Sequence, residues 1–165
     1  MIALALDDVA ATHRLAETLA EIAGPGMAIL LSGPLGAGKS EFARAFVRAW
    51  LADPNAEVPS PTFTLVQPYD APRGTVWHCD LYRLGDPSEV EELGLGDAFA
   101  DTVALVEWPD RLGDDLPADR LELTLEICHG SDRRIARLTP HGRWAGRLDA
   151  IETGTLPGDR PQHRD

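Results

Sequence analysis

Apolar residues recur along the first third of the chain with two different periods, which predict strands alternating with helices. Residues 2–7 predict a short strand, and residues 9–23 predict a helix because their leucines and isoleucine recur at intervals of three and four. The continuous apolar run of residues 27–31 is typical of a buried parallel strand. A second helix with one apolar face follows and is expected to end at Asp53.

The rest of the chain predicts more strands than helices. Residues 63–69 predict an extended stretch that pairs as a hairpin with residues 75–81 across the turn residues 70–74. The remaining predicted elements are a short helix from Asp86 to about Gly94, strands over 102–106, 121–128 and 133–138, and a last helix over 143–151. This order favours an α/β fold of three layers, with a central, mostly parallel sheet and an added antiparallel hairpin.

Length and composition indicate one domain over residues 1–151. The chain has 165 residues, 44% of them hydrophobic and 25% charged, which is ordinary for a globular protein. Gly, Pro and charged residues dominate after Ile151, so residues 152–165 are expected to form a flexible tail. The start lacks the basic region of a signal peptide and no apolar run suits a membrane span, so we expect a cytoplasmic protein without membrane contact.

The charge is acidic overall but uneven. A formal net charge of −12 argues against a protein that grips nucleic acid with its whole surface. Residues 131–148, however, carry five arginines and one acidic residue, a local balance of +4. Two interpretations stay open for this segment: a solvated strand and helix face, or a local contact patch for nucleotide, RNA or a partner.

The strongest chemical signal is a glycine-rich segment, residues 33–40, with the sequence GPLGAGKS. It matches the phosphate-binding pattern GxxxxGK[ST] and has the strand before it and the helix after it that this pattern requires. Glycines let backbone N–H groups surround the phosphates of ATP, Lys39 is expected to reach the β and γ phosphates, and the Ser40 hydroxyl is expected to bind Mg²⁺. Lys39 is the single lysine among 15 basic residues. The candidate nucleotide-binding residues are Gly33, Pro34, Leu35, Gly36, Ala37, Gly38, Lys39 and Ser40.

Two carboxylates are candidates for a second Mg²⁺ anchor, which in such sites commonly follows a neighbouring apolar strand. Asp80 follows residues 75–79, and Glu107 follows the cleaner apolar run 103–106. We therefore assign the metal role to Glu107, directly or through water. Asp80 then belongs to the metal shell or orients a water molecule.

Three further residues near these segments each have two interpretations. Thr62, in a proline-constrained loop, is either a residue that senses the γ-phosphate and the metal or a strand cap. His78 lies within a predicted strand, where a packed or hydrogen-bonded histidine is favoured over a general base. Trp108 follows Glu107 and is either a rigid wall of the site or part of the core.

Four segments, GPLGAGKS, SPTFTLV, HCDLYRL and LVEWPDRL, occur in an order and spacing that resemble the bacterial TsaE (YjeE) family over roughly residues 1–150. The resemblance implies a P-loop ATPase that works with TsaD and TsaB to form N6-threonylcarbamoyladenosine in tRNA, next to the anticodon. In that system a separate enzyme makes threonylcarbamoyl-adenylate, and TsaD transfers the threonylcarbamoyl group. ATP hydrolysis by TsaE keeps the assembly turning over. Any contact with tRNA is either indirect or made through the local basic segment.

The resemblance also implies roles for single residues. Thr62 would be the switch-like residue, Asp80 a catalytic carboxylate and Glu107 the Mg²⁺ carboxylate. We further place Thr12, in the first helix, and Arg134, in the basic segment, around the nucleotide base. Ser40 stands where the family commonly has threonine, and it keeps the hydroxyl.

Three other functions are alternatives to this one. A GTPase of the N-K-x-D type needs a second lysine, which the chain lacks. A small P-loop kinase that transfers phosphate to a metabolite usually carries an arginine-rich lid, for which Arg83 and the basic segment are the available residues. A nucleotide-dependent binding module with negligible turnover is the third, because no arginine finger is identifiable in the sequence.

Overall fold

The computed structural model describes residues 1–86 and 88–152. The strands in this part of the chain are β1 (Ile2–Leu6), β2 (Ala28–Ser32), β3 (Val66–Ala71), β4 (Gly74–Asp80), β5 (Val103–Glu107), β6 (Arg120–Ile127) and β7 (Arg134–Pro140). The helices are α1 (Val9–Ile22), α2 (Lys39–Leu51), α3 (Ser88–Glu92), α4 (Leu95–Asp101) and α5 (Asp149–Glu152). The tail was expected over residues 152–165, but Glu152 belongs to α5, and residues 153–165 lie outside the described residues.

All seven strands form one sheet in the order β1-β7-β6-β2-β5-β4-β3. The four central strands, β6, β2, β5 and β4, run parallel to one another. Strand β3 is added to one side as an antiparallel hairpin with β4, and β7 and β1 extend the other side in antiparallel pairing. The predicted fold class, a mostly parallel centre with an added antiparallel hairpin, is confirmed.

Helices cover both faces of the sheet because the central strands are apolar on both faces. In β2, Ile29 and Leu31 belong to the hydrophobic cluster formed with α1 and α2, whereas Ala28 and Leu30 belong to the cluster that includes α3 and α4. The amphipathic helix α2 buries one face through stacked aromatic rings, with Phe46 6.3 Å by ring centroid from both Phe42 and Trp50. The P-loop helix is thereby fixed against the sheet.

Two predicted elements were wrong in their extent. Strand β3 begins at Val66 rather than at residue 63, because Leu65 has a left-handed backbone (φ 66°) and its N–H closes a turn onto Pro61 at 2.7 Å. The last predicted helix, 143–151, is broken into a 3₁₀ turn, Gly142–Trp144, and α5. Gly146, with φ 86°, interrupts it because left-handed backbone cannot continue an α-helix.

The segment after α3 was also incomplete in the prediction. Helix α3 ends at Glu92, close to the expected end, but α4 begins three residues later, at Leu95, and was not predicted. Gly94, at φ 72°, is the left-handed residue that separates the two helices. None of the helices in the described residues is both long enough and apolar enough to cross a lipid bilayer.

Candidate functional site

The ends of the parallel strands bring the predicted site residues to one edge of the sheet, which we call the loop edge. The glycine-rich loop, residues 33–38, leaves β2 there, and Asp80 and Glu107 are the last residues of β4 and β5. Asp80 and Glu107 are Cα partners in register, and Glu107 is also paired with Leu31 on β2. Sequence-distant carboxylates thus lie side by side beside the loop, where ligands bind in open α/β sheets.

The loop backbone has the shape that a phosphate group requires. Gly33 has φ 146°, and a Cβ atom there would lie 2.5 Å from the Leu125 carbonyl oxygen, so a larger residue cannot occupy this position. Gly36 has φ 82° and open space where its Cβ would be, which leaves the backbone accessible to a ligand. The loop leads directly into α2, whose N-terminal N–H groups favour an anion. These features fit a bound phosphate chain.

Lys39 is buried at the mouth of this loop, with 6% of its surface exposed. Its Nζ donates a hydrogen bond to the Gly33 carbonyl oxygen and lies 3.9 Å from the centroid of the Trp108 ring. Burial lowers the pKa of the Lys39 ammonium, while the negative charges of Glu107, Asp80 and Asp110 oppose that shift. The nearby carboxylates favour the ammonium form of Lys39, and this positive charge at the mouth of the loop is what an anionic ligand would contact.

Asp80 and Glu107 are themselves buried, at 8% and 3% exposure. Glu107 Oε2 lies 2.8 Å from His78 Nε2, and Asp80 Oδ1 accepts a hydrogen bond from the Tyr82 N–H at 3.1 Å. Like charges directly opposite each other in a sheet are unfavourable, so this pair gains from a nearby cation.

The residues of the loop edge fit Mg²⁺ that arrives together with a nucleotide. Among the described residues, no group of three or more His, Cys, Asp or Glu side chains is arranged to hold a metal ion by itself. Mg²⁺ commonly binds through one or two carboxylates with substrate phosphates and water supplying the other ligands. Ser40 is exposed at the start of α2, directly after Lys39, and would supply a hydroxyl oxygen as a further ligand.

Thr62 lies in the turn that directly precedes β3. Its hydroxyl pairs with the Ser60 hydroxyl at 2.7 Å. The same turn is tied to the strand that ends in Asp80, because the Asp80 N–H donates to the Leu65 carbonyl oxygen at 2.9 Å. The structure therefore places the Thr62 segment beside Asp80, while the Thr62 side chain itself bonds within its own loop.

Thr12 and Arg134 come together on one side of the glycine-rich loop. Both line an open cavity of about 460 Å³ with residues 36–38 and Glu41. Arg134 donates from Nη2 to the Gly36 carbonyl oxygen at 3.3 Å, and Thr12 is buried on α1. Asp8 and Asp132 also line this cavity and were not predicted, because neither belongs to a recognisable motif.

The five arginines of the basic segment contact different parts of the chain. Arg134 borders the loop, whereas Arg133 pairs with Asp7 at 2.9 Å and Arg137 pairs with Glu126 at 2.7 Å. Arg143 and Arg147 lie at the opposite end of the strands, where they donate hydrogen bonds to the carbonyl oxygens of Pro25 and Ile22. One arginine of the five therefore lies at the candidate site, and the others make contacts within the fold.

The contacts of His78 and Trp108 bear on the two interpretations that the sequence allowed for each residue. His78 is hydrogen-bonded, as favoured, and its partner is Glu107. Trp108 has features of both interpretations: its ring contacts Lys39 and lies 4.9 Å from Tyr82 by ring centroid, and it also packs against the hydrophobic cluster that includes α3 and α4. The sequence carries a signal for His78, since a residue two positions before Asp80 on a strand shares its face.

The chain is similar to proteins of one family over most of its length. The family model described as threonylcarbamoyl adenosine biosynthesis protein TsaE matches residues 6–135. The tRNA threonylcarbamoyladenosine biosynthesis protein TsaE of Rickettsia bellii is 37% identical over 128 residues, 78% of this chain and 88% of the relative. The Bacillus subtilis protein of that name is 35% identical over 125 residues, 75% of this chain and 77% of the relative. The crystal structure of Bacillus subtilis YdiB has a TM-score of 0.74, 28% identity, and coverage of 89% of this chain and 90% of that chain.

Proposed function

This chain belongs to the TsaE family of threonylcarbamoyl adenosine biosynthesis proteins, and on that premise we propose that it binds and hydrolyses ATP with Mg²⁺ in the formation of N6-threonylcarbamoyladenosine in tRNA. It would act in the cytoplasm with TsaD and TsaB. The observation that carries the proposal is the buried Lys39 ammonium at the mouth of a glycine-rich loop, beside two strand-end carboxylates. Each of these groups is one that P-loop ATPases need at that place.

The glycine-rich loop and Lys39 would hold the phosphates. Backbone N–H groups of the loop, other than that of Pro34, which has none, would donate to phosphate oxygens, and the Lys39 ammonium would exchange its contact with Gly33 for the β and γ phosphates. Thr12 and Arg134 line the cavity beside the loop and would contact the nucleoside.

Ser40 and Glu107 would hold Mg²⁺, with Asp80 in the metal shell or orienting the attacking water. When bound, the metal supplies positive charge that stabilises the transferring phosphoryl group. Thr62 would respond to the γ-phosphate through the turn that is tied to Asp80. Movement of this turn on ATP binding would transmit the nucleotide state to partner proteins.

Hydrolysis by the chain alone is expected to be slow, since arginine fingers commonly contribute about 10³–10⁵-fold and none is identifiable here. Release of phosphate should therefore be measured with the chain alone and with TsaB and TsaD added. We expect a marked rise with the partners, whereas equal rates would contradict a partner-stimulated ATPase.

The alternative, a kinase for a small metabolite, predicts a different product. A panel of metabolites incubated with labelled ATP separates phosphate release from phosphoryl transfer. Reconstitution of tRNA modification with and without the chain, with turnovers counted per TsaD, then tests the pathway assignment. Phosphoryl transfer to a metabolite at a rate above phosphate release would overturn the proposal.

A further inference from the structure

The imidazole of His78 is buried at the loop edge and has no part in the function proposed above. Only 2% of its surface is exposed, although histidine is a polar residue that is seldom buried this far without a partner. Its Nε2 lies 2.8 Å from Oε2 of Glu107, the carboxylate to which we assign Mg²⁺. The contact joins two strands, since His78 lies on β4 and Glu107 ends β5.

Strand register explains why this contact forms. His78 is the Cα partner of Leu105, and Asp80 is the Cα partner of Glu107. Residues two apart on a strand share a face, so His78 and Asp80 lie on the same side of the sheet as Glu107. The imidazole thus reaches Glu107 diagonally, over a distance that long side chains on neighbouring strands can bridge.

The surroundings of the ring identify His78 as the donor. Its other nitrogen, Nδ1, is buried and has no hydrogen-bond partner among the described residues. With the proton on Nε2, the ring donates to the Glu107 carboxylate and leaves a bare lone pair at Nδ1. The other tautomer would bury an unpartnered N–H and direct a lone pair at the carboxylate, which costs more.

We propose that His78 is a positioning residue that holds Oε2 of Glu107 and thereby fixes the orientation in which Oε1 is available to Mg²⁺. The inference rests on the proposed function, because it assumes that Glu107 serves Mg²⁺ bound with ATP. Groups that orient a metal ligand from behind commonly contribute about 10–100-fold to metal affinity or activity. The effect of His78 should therefore appear only when Mg²⁺ is present.

The test compares nucleotide affinity in Mg²⁺ with nucleotide affinity in EDTA, using a non-hydrolysable ATP analogue and calorimetry. His78→Leu removes the donor at similar volume, and His78→Gln keeps an amide N–H of similar reach. The matched control is His129→Leu, in an exposed turn. We expect His78→Leu to reduce the enhancement by Mg²⁺ about tenfold or more while affinity in EDTA stays within about twofold of the wild type. His78→Gln and His129→Leu should remain near the wild type.

Three results would contradict a positioning role for His78. A wild-type Mg²⁺ enhancement in folded His78→Leu, or equal losses in Mg²⁺ and EDTA, would overturn it, as would a His78→Gln variant as impaired as His78→Leu. If His78→Leu does not fold, His78→Asn takes its place because its amide is one methylene shorter than that of glutamine. A wild-type chain that binds no nucleotide would instead overturn the proposed function itself.

Discussion

The two edges of the sheet are built on opposite physical principles. At the loop edge, Lys39, Asp80 and Glu107 are buried charges, and Trp108 has a left-handed backbone (φ 58°). At the opposite edge, where α1 ends and β2 begins, arginines from distant segments donate to backbone carbonyl oxygens; we call this the arginine edge. Its contacts are Arg73 to Ala20 at 2.8 Å, Arg143 to Pro25 at 2.7 Å and Arg147 to Ile22 at 3.0 Å.

The arginine edge satisfies groups that α1 cannot satisfy alone. The last carbonyl oxygens of a helix have no partner within it, and α1 has no basic residue in its last turn. Arginines from elsewhere in the chain donate hydrogen bonds to those carbonyl oxygens and interact favourably with the helix dipole. The loop edge instead keeps its charges incompletely neutralised, as a binding site requires. If the proposed function holds, stability and ligand binding are separated along the strands, and substitutions should reveal that separation.

The largest expected effect is on nucleotide binding at the loop edge. Lys39→Ala should weaken ATP binding by about 100-fold or more, because hydrogen bonds to charged groups contribute roughly 1.5–3 kcal/mol each and the phosphates lose their central cation. The free energy of unfolding should change by less than the free energy of ATP binding, because the substitution removes the burial cost of the ammonium while it takes a cation away from Asp80 and Glu107. Calorimetric titration and urea unfolding measure the two quantities. A stability loss without a binding loss would contradict the separation.

The next effect concerns turnover. Glu107→Ala should leave nucleotide binding measurable but reduce Mg²⁺-dependent hydrolysis by roughly 100-fold, because metal charge contributes several kcal/mol to phosphoryl transfer. Phosphate release at saturating ATP and Mg²⁺ measures it. The matched control is Glu17→Ala, on the exposed side of α1, which should hydrolyse ATP normally. Wild-type turnover in Glu107→Ala would remove Glu107 from the site.

A smaller effect of the opposite kind is expected at the arginine edge. Arg143→Ala should lower the free energy of unfolding by about 1–2 kcal/mol, since it removes hydrogen bonds to Asp119 and Pro25. ATP affinity should not change. Arg133→Ala, which breaks an exposed pair with Asp7, serves as control and should change stability by less than about 1 kcal/mol. Weakened ATP binding in Arg143→Ala would show that the edges are coupled.

The smallest effect is a pH dependence at the arginine edge. The Arg143 backbone N–H donates a hydrogen bond to Asp119, and the Arg143 side chain donates another. Both lower the pKa of the Asp119 carboxyl below its ordinary value, and the backbone bond contributes more. Because the folded-state pKa is depressed, this contribution to stability is complete above the ordinary pKa and is lost as pH falls through the lowered value. Unfolding of the wild type and Asp119→Asn, compared at neutral and acidic pH, should show a stability difference that shrinks in acid. A difference that is independent of pH would exclude this linkage.

The sequence was sufficient for the elements whose signals are local. The P-loop helix, the strand before it and the strand that ends in Glu107 lie where periodicity and glycine placement predicted them. Predictions were wrong where a single backbone angle decided the outcome, as at Leu65, which shortens β3, and at Gly146, which breaks the last helix. Periodicity does not report a left-handed residue when the residue is leucine.

By itself, the sequence determined the α/β class, the phosphate-binding loop and the chemical types of residue beside it, because those depend on residue identity over a few neighbouring positions. Only the tertiary structure decided that Asp80 and Glu107 are register partners, that His78 bonds to Glu107, and that Arg134 borders the loop whereas Arg143 lies at the arginine edge. Strand order and register join residues about thirty or more positions apart, and no local pattern encodes such a pairing.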